Sequence, residues 1–267
     1  MLIFGHTYIL NEVYTRSGLS PRDIPLETIL GNVLPNLLLS SNLGITESSQ
    51  NLHRRFHDRT KTPETVGFDL SSDLERGFAI HVMADNYSRV GHYWRAKGTT
   101  DKGFLKGMER EVDLTGVEIR NAKQESTLRR RILQCGLDIL VLRDHYDVTT
   151  DVVNSSVEYL DRNRPGLGQR ISTALGIDEQ YVDDRLQSYL LRFGSMLHYQ
   201  ASEQIRAYPV VRTIEDLGEM EGSDESLSRI QAHIGYELVI RNLTLLEQWK
   251  EDLRSISEEI LRSPMEF

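Results

Sequence analysis

The apolar residues in the first half of the chain recur three and four positions apart, which is the spacing of one face of an α-helix. This pattern predicts helices at 4–16, 25–40, 52–58 and 70–94. Polar or glycine-containing connections are expected at 40–50, 60–67 and 98–107. Proline has no backbone N–H, so we expect Pro35 to kink or interrupt the second helix.

The second half of the chain has longer amphipathic segments. They predict helices at 124–146, at a short stretch ending at Gly176, at 178–207 and at 226–262. The sequence Asn163-Arg164-Pro165-Gly166 is expected to break the chain, and acidic residues make 215–225 a loop. No segment alternates as a strand does. The sequence therefore predicts an all-α, multi-helix bundle of eight or nine helices.

Composition fits this class of fold. Hydrophobic residues make up 39% of the 267 residues and charged residues 27%, as in globular proteins with a sizeable core. We expect one helical domain over 1–267, or a closely packed pair, with a candidate metal site in 1–95 and a less specific helical part in 110–262. No apolar run approaches the roughly 20 residues of a membrane span, and Met1–Leu10 lacks the features of a signal peptide. Cys135 is the one cysteine and falls on an apolar helix face, so we expect a buried thiol and a cytoplasmic protein.

The formal net charge of −9 argues against nucleic-acid binding, which depends on clustered Lys and Arg. A small anionic substrate remains compatible with an acidic protein if metal ions supply positive charge at the site. Five of the eight histidines fall in the first 92 residues, which directs attention to metal ligation there.

His81 and Asp85 are the most informative pair, because four residues apart they project from the same side of one helix. Leu74, Phe78 and Val82 share that side, so the carboxylate faces the core. A buried carboxylate is costly unless it is paired or ligates a metal. Two interpretations follow: a metal site, or a buried His–Asp hydrogen bond without metal.

A second pair at the same spacing is His53 and His57, followed directly by Asp58. Two histidines four apart on a helix can bind one ion. His6 lies on the first predicted helix and adds a third candidate region.

Four segments in this order resemble the zinc-dependent phospholipase C family: FGHTYIL, GNVLPNLL, HRRFHD and GFAIHVMADNYSRVGHYW. The resemblance covers about 4–94. It implies metal ligation by His6, by His53 or His57, and by His81 and Asp85, with Asp85 in a position to bridge two ions. His92 is the candidate for a further histidine ligand of that family. Where the family has an aspartate after proline, this chain has Asn36.

A second resemblance, to acyl-carrier-protein phosphodiesterases and HD-type phosphohydrolases, rests on the adjacent pair His57-Asp58. Both groups are helical, metal-dependent and cleave phosphoesters. The resemblances therefore imply a phosphoester hydrolase of phospholipase C type, with a small phosphoester or phospholipid-like substrate. One or two zinc ions would activate water, Asp85 or Asp58 would hold or deprotonate it, and Tyr87 and Arg89 would contact the substrate. The alternative from another class is a non-catalytic helical scaffold with a degenerate metal site, which Asn36 favours.

Overall fold

The structure is a computed structural model that describes residues 3–38, 71–90, 103–119, 121–197 and 237–262. Within these ranges every regular element is a helix, which confirms the all-α prediction. The α-helices are Ile3–Arg16 (α1), Leu26–Leu38 (α2), Asp73–Val90 (α3), Phe104–Met108 (α4), Ala122–Leu175 (α5), Glu179–Leu197 (α6) and Trp249–Leu261 (α7). Short 3₁₀ turns occupy Pro21–Asp23 and Leu243–Leu246, and residues 237–241 are also helical.

The helices share a core of buried apolar side chains drawn from α1, α2, α3, α5, α6 and α7. At the centre of this core lies α3, which is buried on all sides from Gly77 to Ser88. A helix buried all round is normally apolar all round, yet this stretch contains His81, Asp85 and Asn86. Its polar side chains must therefore find partners inside the protein.

Helices α2 and α3 touch backbone to backbone. A Cβ atom on Gly31 would overlap the carbonyl oxygen of Leu74, and a Cβ atom on Gly77 would overlap that of Thr28. Glycine at these two positions lets the helix axes approach more closely than larger side chains would permit. This close contact sets the position of His81, which follows Gly77 by one helical turn.

Of the kink or interruption expected at Pro35, the interruption is wrong, since α2 continues through Pro35 to Leu38. Pro35 still offers no N–H to the carbonyl of Gly31. The end of α2 is held from outside by α6, where the hydroxyl of Tyr181 donates to the carbonyl oxygen of Leu38.

Three other boundaries differ from the sequence-based expectation. Helix α5 continues through residues 163–166, where the sequence predicted a break. Gly166 does have an irregular backbone there, with φ +116°, but this does not end the helix. The stretch expected as a connection at 98–107 includes the start of α4, because Leu105 is buried. The expected helix at 226–262 is interrupted near Asn242. Its side chain donates to the carbonyls of Leu238 and Asp113 and accepts from the Asp113 N–H, and such side-chain bonds compete with helix continuation.

The short helix expected to end at Gly176 does so, as the last turn of α5. Gly176 adopts φ +64°, and the N–H of Ile177 donates to the carbonyl of Ser172, which is a Schellman ending. None of the described helices is long and apolar enough to cross a membrane. Cys135 is buried, as expected.

Candidate metal centre

Helices α1 and α3 bring His6, His81 and Asp85 together in the core. One potential ligand atom from each residue lies within 4.8 Å of the other two. The exposed fractions are 0% for His6, 2% for His81 and 6% for Asp85. The two residues that share a face of α3 are thus joined by a third that is 75 positions or more away in the sequence.

The distance between His6 Nε2 and Asp85 Oδ1 is 3.3 Å. Zinc bonds of about 2.0–2.2 Å at tetrahedral angles place neighbouring ligand atoms about 3.3–3.6 Å apart. The chemistry of the donor set also fits, because imidazole nitrogen and carboxylate oxygen are ordinary zinc ligands. The three residues can therefore supply one dication with two neutral ligands and one negative charge.

The ring orientation of His81 is fixed by α2. Its Nδ1 lies 2.6 Å from the main-chain carbonyl oxygen of Asn32. A carbonyl can only accept, so Nδ1 carries the proton and donates it, which leaves Nε2 with a free lone pair. A backbone carbonyl behind a histidine is a common outer partner of metal-binding imidazoles.

Electrostatics keep His81 neutral. Burial, followed by the nearby His6, lowers the pKa of His81 well below its usual range, while Asp85 and the Asn32 carbonyl act in the opposite direction. The unprotonated ring is the form that can ligate a metal ion.

The rings of His6 and His81 stack, with centroids 3.5 Å apart and planes 11° from parallel. A metal ion binds imidazole in the plane of the ring. Two parallel rings stacked face to face do not both direct a nitrogen at one point, so binding of one ion by both requires the rings to open away from 11°. The potential ligand atoms lie within 4.8 Å of one another, but the side chains must rotate before both rings can bind the same ion.

The first turn of α1, which carries His6, is held by a residue that sequence reasoning missed. Asp138 of α5 accepts hydrogen bonds from the Phe4 N–H at 3.1 Å and the Gly5 N–H at 2.9 Å. The first N–H groups of a helix have no partner within the helix, and Asp138 supplies one from 133 residues away. Its only signal in the sequence is a carboxylate on the apolar face of α5, between Cys135 and Leu142.

Tyr87 is the one remaining predicted site residue whose side chain the structure describes. Tyr87 is buried in the core, and the hydroxyl of neighbouring Ser88 donates to the carbonyl of Asp85. The side chain of Arg89, together with all of His53, His57, Asp58 and His92, lies outside the described residues. Their roles stay predictions.

No protein-family model matches this chain, and no match was found among curated proteins or solved structures. The geometry of His6, His81 and Asp85 is therefore the main structural indication of function.

Proposed function

We propose that this protein is a metal-dependent phosphoester hydrolase of the phospholipase C type, with His6, His81 and Asp85 as ligands of a zinc ion. The observation that carries the proposal is the convergence of these three buried side chains within 4.8 Å. A small phosphoester or phospholipid-like substrate, rather than nucleic acid, and a cytoplasmic setting belong to the same proposal. They are supported by the net charge of −9 and the single cysteine.

Each residue has a role that follows from its contacts. His81 presents Nε2 because Nδ1 is committed to the Asn32 carbonyl. His6 presents its imidazole from α1, whose first turn Asp138 holds in place. Asp85 contributes negative charge through Oδ1, which lies 3.3 Å from His6 Nε2, and it is the carboxylate that would orient a water molecule or accept its proton.

A bound zinc ion supplies Lewis acidity and lowers the pKa of a coordinated water toward neutrality. In the hydrolysis, the water oxygen forms a new bond to phosphorus and the ester P–O bond breaks. The proton lost by water ends on the alcohol leaving group, so no oxidant or reductant is needed. In the HD-type variant of this proposal, His57 and Asp58 would be additional ligands and Asp58 an alternative base.

A purely structural metal site is the second candidate function, and burial favours it. Structural zinc sites are closed, whereas catalytic sites keep one coordination position open to substrate. The three ligands here are 0–6% exposed. The two functions predict the same metal content and differ in turnover.

The test combines metal analysis with an activity assay on bis(p-nitrophenyl) phosphate. We expect the parent protein to contain about one equivalent of zinc or more per chain. His81→Ala and Asp85→Asn should each weaken zinc affinity at least about tenfold, because removing a ligand has a larger effect than the 10–100-fold loss caused by changing an outer-shell partner. Asp147→Asn is the matched control for Asp85→Asn, because Asp147 is an exposed aspartate on α5.

The outcomes separate the candidates. Zinc together with turnover that Asp85→Asn abolishes supports the hydrolase. Zinc without turnover supports the structural site. Less than about a tenth of an equivalent, even after zinc is supplied during expression, overturns both, because deprotonated ligands in a folded site bind zinc tightly.

A further inference from the structure

Helix α2 carries a stripe of polar side chains beside its contact with α3, where the backbones of Thr28 and Asn32 lie against Gly77. Thr28, Asn32 and Asn36 are spaced four residues apart and therefore lie on one side of the helix. Thr28 is fully buried and Asn32 is 1% exposed. We call these three residues the α2 polar stripe.

The stripe has hydrogen-bonding groups that the described part of the chain does not satisfy. The hydroxyl oxygen of Thr28, both polar atoms of the Asn32 amide and Nδ2 of Asn36 are buried without a hydrogen-bond partner there. Buried polar side chains nearly always have a partner, and each exception destabilises the folded state. Valine and leucine would fill the same volume without that penalty, so the polar groups suggest a ligand.

The stripe is adjacent to the candidate metal centre. The main-chain carbonyl of Asn32 accepts the proton of His81 Nδ1 at 2.6 Å. Gly77, one turn before His81 on α3, lies directly against the backbone of Thr28 and Asn32. A ligand bound along the stripe would therefore lie beside His81.

We propose that the α2 polar stripe binds the oxygen atoms of a phosphate group. The unmatched groups include two amide NH₂ donors and a hydroxyl, which complement an acceptor-rich oxyanion. The buried Nδ2 of Asn36 is one of these donors, and a donor suits an anion rather than a cation. The choice of phosphate among oxyanions rests on the proposed hydrolase function. Asp85 repels an anion, so phosphate binds more tightly when zinc offsets that charge.

The test measures binding of inorganic phosphate by calorimetry and by the rise in Tm, on both zinc-loaded and EDTA-treated protein. Asn32→Leu removes the amide and keeps the approximate volume. We expect Asn32→Leu to have a higher Tm than the parent in the absence of phosphate and about tenfold weaker phosphate binding or worse, since hydrogen bonds to charged groups are among the stronger ones. Zinc content is measured on each variant, so that loss of the metal is told apart from loss of a phosphate contact. Thr28→Val is the second variant, in case Asn32→Leu disturbs folding.

Asn11→Leu is the matched control. Asn11 is also buried with both amide atoms lacking partners in the described structure, but it lies on α1, about 140° around the helix from His6. Asn11→Leu should raise Tm and leave phosphate binding unchanged.

Two results would overturn the proposal: phosphate binding by Asn32→Leu and Thr28→Val equal to that of the parent, or no phosphate binding by the parent with or without zinc. A protein that binds no zinc would contradict the proposed function instead. The comparison on EDTA-treated protein would still decide the role of the stripe.

Discussion

The carboxylate of Asp138 is the clearest place to test how the fold positions the metal centre. Asp138 is 3% exposed and accepts two hydrogen bonds from the first turn of α1, immediately before His6. In Asp138→Asn the side chain keeps one oxygen acceptor and replaces the other with an NH₂ group, which cannot accept. One charge-assisted hydrogen bond and the negative charge at the helix N-terminus are lost.

The magnitude follows from these two losses. A hydrogen bond to a charged group contributes about 1.5–3 kcal/mol, and a charge at a helix N-terminus about 0.3–1 kcal/mol. We therefore expect the free energy of unfolding to fall by about 2–4 kcal/mol, which lowers Tm by about 4–16 °C in a chain of this size. Because the same turn carries His6, zinc affinity should fall by about 10–100-fold, as for other outer-shell partners.

The assay is urea unfolding followed by circular dichroism, with zinc titration of each variant. Asp147→Asn, an exposed aspartate on the same helix, is the control and should change stability by less than about 0.5 kcal/mol. If Asp138→Asn unfolds at the same urea concentration as Asp147→Asn, Asp138 does not anchor α1. If stability falls while zinc affinity is unchanged, its role is limited to the fold.

Three further predictions concern other parts of the molecule. Gly77→Ala should destabilise the protein by about 3 kcal/mol, the upper end for overpacking, because the added Cβ would overlap the Thr28 carbonyl. Gly107→Ala is the control and should not destabilise the protein, because nothing lies near its Cβ. Equal urea midpoints for the two variants would refute the close α2–α3 contact. Asn36→Asp should raise zinc affinity by adding a negative charge on the stripe, and identical zinc titrations would remove Asn36 from the metal's surroundings. Arg143, with Lys250, lowers the pKa of Asp144 from 3.8 to about 2. The stability that the ionised Asp144 contributes is therefore present above about pH 4 and is lost as the pH falls toward 2. Asp144→Asn should remove that part of the acid dependence of stability, and an unchanged pH profile would show that the pairing adds nothing.

The helices near the candidate site were predictable because their buried apolar residues recur at helical spacing. The pattern of α1, α2 and α3 needed only the 3.6-residue period, and the His81–Asp85 pair needed only the four-residue spacing on α3. Convergence of His6 with that pair was expected from the order of motifs, and the structure brings the three together.

Other features depend on contacts between distant parts of the chain and leave little trace in local sequence. The interruption near Asn242 results from hydrogen bonds to Asp113, 129 residues away. Asp138 acts on the start of α1 across a similar separation. The contact between the Asn32 main-chain carbonyl and His81 is one that no side-chain pattern reveals. Helix α2 continues through Pro35, where the sequence predicted a kink or an interruption, and Tyr181 holds the end of the helix.

The most direct test of the metal centre is anomalous diffraction at the zinc edge from crystals of the zinc-loaded protein. We expect an anomalous peak about 2.0–2.2 Å from a nitrogen of His6, Nε2 of His81 and an oxygen of Asp85. The rings of His6 and His81 should have opened from the 11° stacked arrangement. Well-ordered density for all three side chains with no anomalous peak between them, and rings still stacked at 3.5 Å, would contradict it.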